Sequence, residues 1–193
     1  MQRRKTLAIL SCLALAGALT VTGCALDSRT HAALTKGNEA LAAYATAEDA
    51  TSRKIAQAAV VQPTPEGVKP GLALLAEVGT AMTARHRAAV TAKAQFEAFK
   101  AAAADDKQKG YADRAIAVAD GLLKLDAGTV TLTKNMTELY QSVADNSSDT
   151  DRVVALADAV TKGQVAYEQL RAQVKTLSDA ADQYFQQNLA GRK

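Results

Sequence analysis

Glu48 and Arg85 are the two charged residues whose positions could create a functional site. Each interrupts a line of mostly apolar residues at spacings of three and four, which is typical of a helix face that packs against other helices. All three prolines lie between them, within residues 62–71, so the two flanking helices should form a hairpin with Glu48 and Arg85 at similar height. We therefore predict a partly buried ion pair, with Thr51 and His86 nearby.

Such a buried polar cluster has two interpretations. An isolated charged pair in an apolar seam can set the register of the helices. It can also provide a polar binding site for a small ligand in the core of a bundle. We favour the first interpretation, because ion-pair networks without evidence of a pocket are commonly structural.

Other patterns that carry chemistry are missing from the sequence. His31 and His86 are the two histidines, and neither belongs to a H-x-x-E or E-x-x-H pair that would hold a metal in a helical bundle. The sequence contains no haem-attachment, Walker or dinucleotide-binding motif. We therefore expect no catalytic residues, no metal site and no cofactor, and we predict that the protein is not an enzyme.

Tyrosines recur on the apolar lines, and they admit a similar pair of interpretations. The four are Tyr44, Tyr111, Tyr167 and Tyr184. They could form a stacking platform for a ligand. The commoner arrangement is a core ring whose hydroxyl reaches the edge of the bundle.

The apolar lines themselves predict the fold. There are four of them, and the last contains Val153, Leu156, Val160, Gly163, Tyr167, Leu170, Val174, Leu177, Ala181 and Tyr184. Their extents predict helices over about 30–61, 70–104, 106–144 and 149–188. Alanine-rich composition and short connections favour an all-α, antiparallel up-down four-helix bundle with coiled-coil-like seams, spanning residues 30–190.

Three local signals refine the connections and the packing. A change of register around Asp105–Gly110 favours a turn there, with Asp105 or Asp106 as the helix cap. Ser148 and Asp151 resemble a capping box at the start of the last helix. Glycines within the predicted helices, such as Gly79 and Gly163, suggest close helix approach or local bending.

The first 23 residues have the features of an export signal. A basic start is followed by an uncharged apolar stretch that is too short to span a bilayer comfortably. The run Val21-Thr22-Gly23-Cys24 resembles the lipobox of bacterial lipoprotein signal peptides. The resemblance implies cleavage of residues 1–23, lipid on the Cys24 thiol, and a short anchored linker over 24–29. Ala25 after the cysteine implies the outer membrane, facing the periplasm.

Charge and cysteine content narrow the remaining classes of function. Three of the 23 basic residues lie in the signal segment, so residues 24–193 hold 20 basic and 20 acidic residues. This balance leaves no basic footprint for nucleic acid. Cys12 lies in the cleaved segment and Cys24 carries lipid, so we expect neither a disulfide nor a cysteine-bound metal.

The C-terminal Arg192-Lys193 resembles the end of the murein lipoproteins. That resemblance implies a covalent link from Lys193 to peptidoglycan, although the rest of the chain differs from that family. A basic tail is also favoured by the dipole at a helix C-terminus.

These observations favour a lipid-anchored, non-enzymatic helical scaffold or adaptor that acts on a protein partner in the cell envelope. Small-ligand binding or sensing near Glu48, Arg85 and His86 is one alternative. Covalent peptidoglycan tethering through Lys193 is another.

Overall fold

The computed structural model describes residues 28–145 and 149–190. They form an all-α, up-down four-helix bundle, with no strand among the described residues. The helices are α1 (Ser28–Val60), α2 (Pro65–Ala102), α3 (Asp106–Ala144) and α4 (Thr150–Asn188). The predicted sites at Cys24 and Lys193, and the predicted cap residue Ser148, lie outside the described residues.

The chain divides into two compact units, and each helix contributes a segment to both. The described part of the first unit comprises residues 28–46, 87–123 and 173–190. The second unit comprises residues 47–86 and 124–172, with the gap at 146–148.

The start of α2 differs from the sequence-based expectation. The helix begins at Pro65 rather than at residue 70, and Pro70 lies inside it on the exposed side. Thr64 caps this start, since its Oγ1 accepts a hydrogen bond from the backbone N–H of Gly67 at 3.3 Å. Proline suits the first position of a helix because its missing N–H would have no helical partner there. Pro65 therefore initiates α2.

Side-chain caps also define the starts of α3 and α4. Gln108 N–H donates to Asp105 Oδ1 at 2.8 Å, and Ala104 N–H donates to Gln108 Oε1 at 2.8 Å. Asp105 is therefore the cap of α3 at the predicted turn, and the Gln108 side chain binds the backbone of the residue before the cap. In α4, Arg152 N–H donates to Asp149 Oδ1 at 3.0 Å, so Asp149 caps this helix.

The burial pattern follows the predicted apolar lines. The line residues of α1 are all buried, namely Leu34, Gly37, Leu41, Tyr44, Glu48, Thr51, Ile55 and Ala58. Those of α3 are buried from the first to the last but one, namely Tyr111, Ala115, Val118, Leu122, Leu125, Thr129, Leu132, Met136 and Leu139. In α4 each line residue is buried or half-buried. The three-and-four spacing therefore identified the inward faces.

The helix glycines Gly121, Gly128 and Gly163 lie at sites of close packing. A Cβ at Gly121 or Gly128 would meet α4 leucine side chains at 3.1 Å and 2.7 Å, and one at Gly163 would meet Leu132 at 3.2 Å. Gly79 differs, because nothing lies within 4 Å of its Cβ position. The packing explanation thus holds for α3 and α4 but not for Gly79.

No helix among residues 28–145 and 149–190 is both long and apolar enough to cross a membrane.

Candidate functional site

The second unit contains the predicted buried ion pair. Arg85 is 0% exposed, and its Nη1 pairs with Glu48 Oε2, whose side chain is also buried. Both residues occupy inward-facing positions in apolar lines, which is why two long charged side chains enter the core. We call the network around this pair the ionic cluster. Its members are Glu48, Arg85, Asp126, Thr129, Tyr167 and Arg171.

Helix α3 supplies a second carboxylate and a hydroxyl to the guanidinium. Arg85 Nε donates to Asp126 Oδ1 at 2.8 Å, and Nη2 lies 2.7 Å from the same oxygen. Nη2 also donates to Thr129 Oγ1 at 3.0 Å. The Thr129 hydroxyl in turn donates to the Leu125 carbonyl at 2.8 Å. The guanidinium is thus bound by carboxylates from two helices, which compensates for its removal from water.

Helix α4 contacts the ionic cluster through Glu48. Tyr167 donates its hydroxyl proton to Glu48 Oε1 at 2.7 Å. Arg171 Nε lies 3.4 Å from the same oxygen, and its side chain is 22% exposed. The Arg171 guanidinium lies 5.6 Å from the centre of the Tyr167 ring. Glu48 therefore joins α1 to α2 and to α4.

Burial dominates the electrostatics of these groups. It raises the pKa of Glu48, although the charges of Arg85 and Arg171 and the Tyr167 hydrogen bond act to lower it. Burial, followed by the neighbouring Glu48 charge, raises the pKa of Tyr167 well above its usual value. Tyr167 therefore keeps its proton and remains a hydrogen-bond donor.

Thr51 and His86, the other predicted members, occupy different environments. Thr51 is buried, but its hydroxyl donates to the Ala47 carbonyl of its own helix at 2.8 Å. The side chain of His86 is 63% exposed, and its Nδ1 lies 3.4 Å from Asp126 Oδ2. His86 is thus at the solvent edge of the cluster, whereas Thr51 satisfies its hydroxyl locally.

The ionic cluster brings together polar groups from all four helices. Glu48 is on α1, Arg85 on α2, Asp126 on α3 and Tyr167 on α4. Because these contacts require particular side chains to meet, a shift of one helix by a turn would leave buried charges without partners, which is strongly unfavourable. The guanidinium is also inaccessible to a ligand from solvent. These features support the interpretation that the pair sets register.

The tyrosines occupy separate environments. Tyr44 donates to the Leu122 carbonyl at 3.3 Å, and Tyr111 lies among phenylalanine rings. Tyr184 is stacked beneath the Arg114 guanidinium at 4.0 Å. Sequence reasoning missed Tyr140, whose single hydroxyl proton is shared between the carbonyl oxygens of Ala58 and Val61, at 2.9 and 3.0 Å. These contacts satisfy carbonyl groups at the C-terminal end of α1.

Four members of the ionic cluster were not predicted to belong to it from the sequence. Thr129 and Tyr167 lie on the predicted apolar lines, so a search for polar residues at line positions could have found them. Asp126 and Arg171 each follow a line leucine directly, and this position alone does not distinguish a cluster member from a surface residue.

Metal binding and relatedness add no further site. Among residues 28–145 and 149–190, no group of three or more histidine, cysteine, aspartate or glutamate side chains could hold a metal ion. The chain matches no protein-family model, and no curated protein or solved structure matches it significantly.

Proposed function

We propose that the protein is a lipid-anchored, non-enzymatic helical scaffold or adaptor for a protein partner in the bacterial envelope. The lipobox resemblance at Val21–Cys24 supports lipid attachment at Cys24, and Ala25 supports the outer membrane facing the periplasm. Two or three acyl chains would provide stable anchoring, which a single chain does not.

The observation that carries the partner role is apolar surface on α4 in the second unit that remains exposed or half-buried. Among residues 150–172, all of which the structure describes, Tyr167 is the one buried residue. Val154 and Val165 are 62% and 55% exposed, and they lie eleven residues apart, which places them on the same helix face. Seam residues such as Val160 are only half-buried. This segment therefore has apolar surface available to a partner.

A shallow depression lies on the same segment. It has a volume of about 460 Å³ and is lined by Gln164, Val165, Glu168, Gln169 and Ala172. An apolar side chain from a partner helix would fit such a depression, with the glutamate and glutamines forming a polar rim.

The anchoring part of the proposal is tested by mass spectrometry of the membrane-extracted protein. We expect a chain that begins at Cys24 and carries acyl groups, and a Cys24→Ser variant without them. An unmodified wild-type chain would contradict the anchor.

The partner role is tested by photo-crosslinking in intact cells. A photoreactive residue at Val165 should give one adduct of defined mass, while the same residue at the exposed Lys134 on α3 should not. The adduct should disappear when Val154 is changed to Glu. Equal adducts at both positions, or none, would contradict a docking face on α4.

The two alternatives remain predictions. Ligand binding in the core requires access to Arg85, which is fully buried. The tether through Lys193 is tested by extracting envelopes in hot detergent before and after muramidase digestion. A covalently linked protein should resist the detergent and be released only after the peptidoglycan is digested.

A further inference from the structure

One end of the first unit brings together the start of α1, the end of α2 and the start of α3. Thr30 donates its hydroxyl to the Ala102 carbonyl at 3.3 Å, which joins the first turn of α1 to the last residue of α2. Lys100 Nζ lies 2.7 Å from Asp113 Oδ1, which joins the last turn of α2 to the early part of α3.

The last turns of α4 lie at this same end. The Phe185 ring packs against Tyr111 with centroids 5.3 Å apart. A Cβ at Gly110 would lie 2.9 Å from Tyr184 Cζ. Four antiparallel helices therefore return the chain to the end of the first unit at which α1 begins.

The proposed lipid would restrict this end. Only three residues separate Cys24 from Ser28, so the two Cα atoms are at most about 14 Å apart even in extended chain. Arg87 lies in the same unit, fifteen residues before the end of α2, which places it about 22 Å along the helix from Ala102.

The exposed charges at this end suit a phospholipid surface. Arg29, Lys107 and Lys109 are exposed in the first turns of α1 and α3, beside the exposed Asp106 and the half-buried Asp105, so basic residues exceed acidic ones by one at this end. Basic side chains near anionic headgroups attract a domain to the membrane surface over a distance of about one Debye length.

We propose that this end of the first unit, the anchor face, docks on the headgroups of the bilayer that holds the lipid. We define the anchor face as residues 28–31, residues 102–109 and Asn188. The inference rests on the proposed anchor at Cys24.

Cys24 is the last cysteine in the sequence, and in the acylated chain its thiol carries lipid. A cysteine introduced elsewhere therefore provides a single free thiol to which a fluorophore can be attached. The acylated full chain is prepared as two variants, Ala104→Cys on the anchor face, where the residue is exposed and uncharged, and Arg87→Cys as the control in the same unit. Each carries a fluorophore and is reconstituted into phosphatidylethanolamine–phosphatidylglycerol vesicles that contain a headgroup-attached quencher. Both sites are exposed, and circular dichroism checks that both variants stay helical.

We expect quenching at position 104 to exceed that at position 87 several-fold. Equal quenching, or stronger quenching at 87, would overturn the docking of the anchor face. A wild-type chain without acyl groups would instead contradict the proposed anchor, so the two failures are distinguishable. A double variant, Lys107→Glu with Arg87→Cys, tests the charge on the anchor face. If the face is held less firmly on the anionic headgroups, position 87 should approach the bilayer more often, and its quenching should rise. Unchanged quenching there would overturn the electrostatic part of the docking.

Discussion

The two units of this bundle are built on different core chemistry. In the first unit, the Tyr111 ring packs edge-on against Phe96, Phe99 and Phe185, with centroid distances of 5.3–6.4 Å. In the second unit, Arg85 occupies the core with Glu48 and Asp126. The same four helices thus carry an aromatic core in one unit and an ionic cluster in the other.

The two kinds of core contribute differently to the stability of the fold and to the selection of one helix arrangement. Aromatic burial is favourable in many arrangements, because the hydrophobic effect is not directional. A buried ion network gives little net stability, since desolvation offsets the attraction, but it penalises every arrangement in which its partners do not meet. We infer that the first unit supplies more of the stability and that the second unit supplies more of the alignment between helices.

The largest expected loss of stability follows a substitution in the aromatic core. Phe96→Ala should lower the free energy of unfolding by about 3–5 kcal/mol, because it removes a fully buried ring and leaves a cavity. Denaturant unfolding at several pH values should give the same loss throughout, since no ionisable group is removed. A loss below about 1 kcal/mol would mean that the site collapses freely and that the ring is not central.

Removing the cation from the ionic cluster should have a comparable effect, but one that depends on pH. Arg85→Met leaves Glu48 and Asp126 buried without their main partner, which should cost about 3–5 kcal/mol at neutral pH. The loss should shrink in acid as Glu48 takes up a proton. Thermal unfolding against pH measures both features.

Two variants test this interpretation of Arg85. Lys93→Met removes a partly exposed ion pair with Asp120 in the first unit and should leave the melting temperature nearly unchanged. The triple variant Glu48→Leu, Arg85→Met, Asp126→Leu should regain most of the lost stability, because apolar residues replace the whole buried network. Unchanged stability in Arg85→Met alone would show that the buried pair is not essential.

A smaller contrast is expected between two tyrosine hydroxyls. Tyr167→Phe removes a hydrogen bond to the Glu48 carboxylate and should cost about 1.5–3 kcal/mol. Tyr44→Phe is the matched change in the first unit, where the acceptor is a neutral carbonyl, and should cost about 0.5–1.5 kcal/mol. Equal losses would remove the energetic distinction between the two cores.

The smallest effect is a pH dependence carried by Glu48. Because its pKa is raised in the folded protein, its contribution to stability is fully present below the unfolded value of 4.5 and is lost as pH rises through the folded pKa. The free energy of unfolding of the wild type, minus that of Glu48→Gln, should therefore fall as pH rises above 4.5. A difference that rises with pH over this range would show that Arg85 and Tyr167 outweigh burial.

Sequence reasoning went furthest where the pattern was long. Lines of residues such as Leu34 to Ala58 identified both the helices and their inward faces, because each line repeats the same spacing over many turns. It was less accurate at α2, which begins at Pro65, since proline can both break a helix and begin one. The anchor at Cys24 remains a prediction from its motif.

The sequence by itself determined the four helices, their antiparallel order and the presence of Glu48 and Arg85 in the seams. Spacing along one chain is sufficient for this, because helical geometry converts it directly into faces. Only the tertiary structure decided that Asp126 and Arg171 join the pair. Both lie beside a seam rather than on it, so their burial depends on how neighbouring helices pack and not on any periodicity within their own helix.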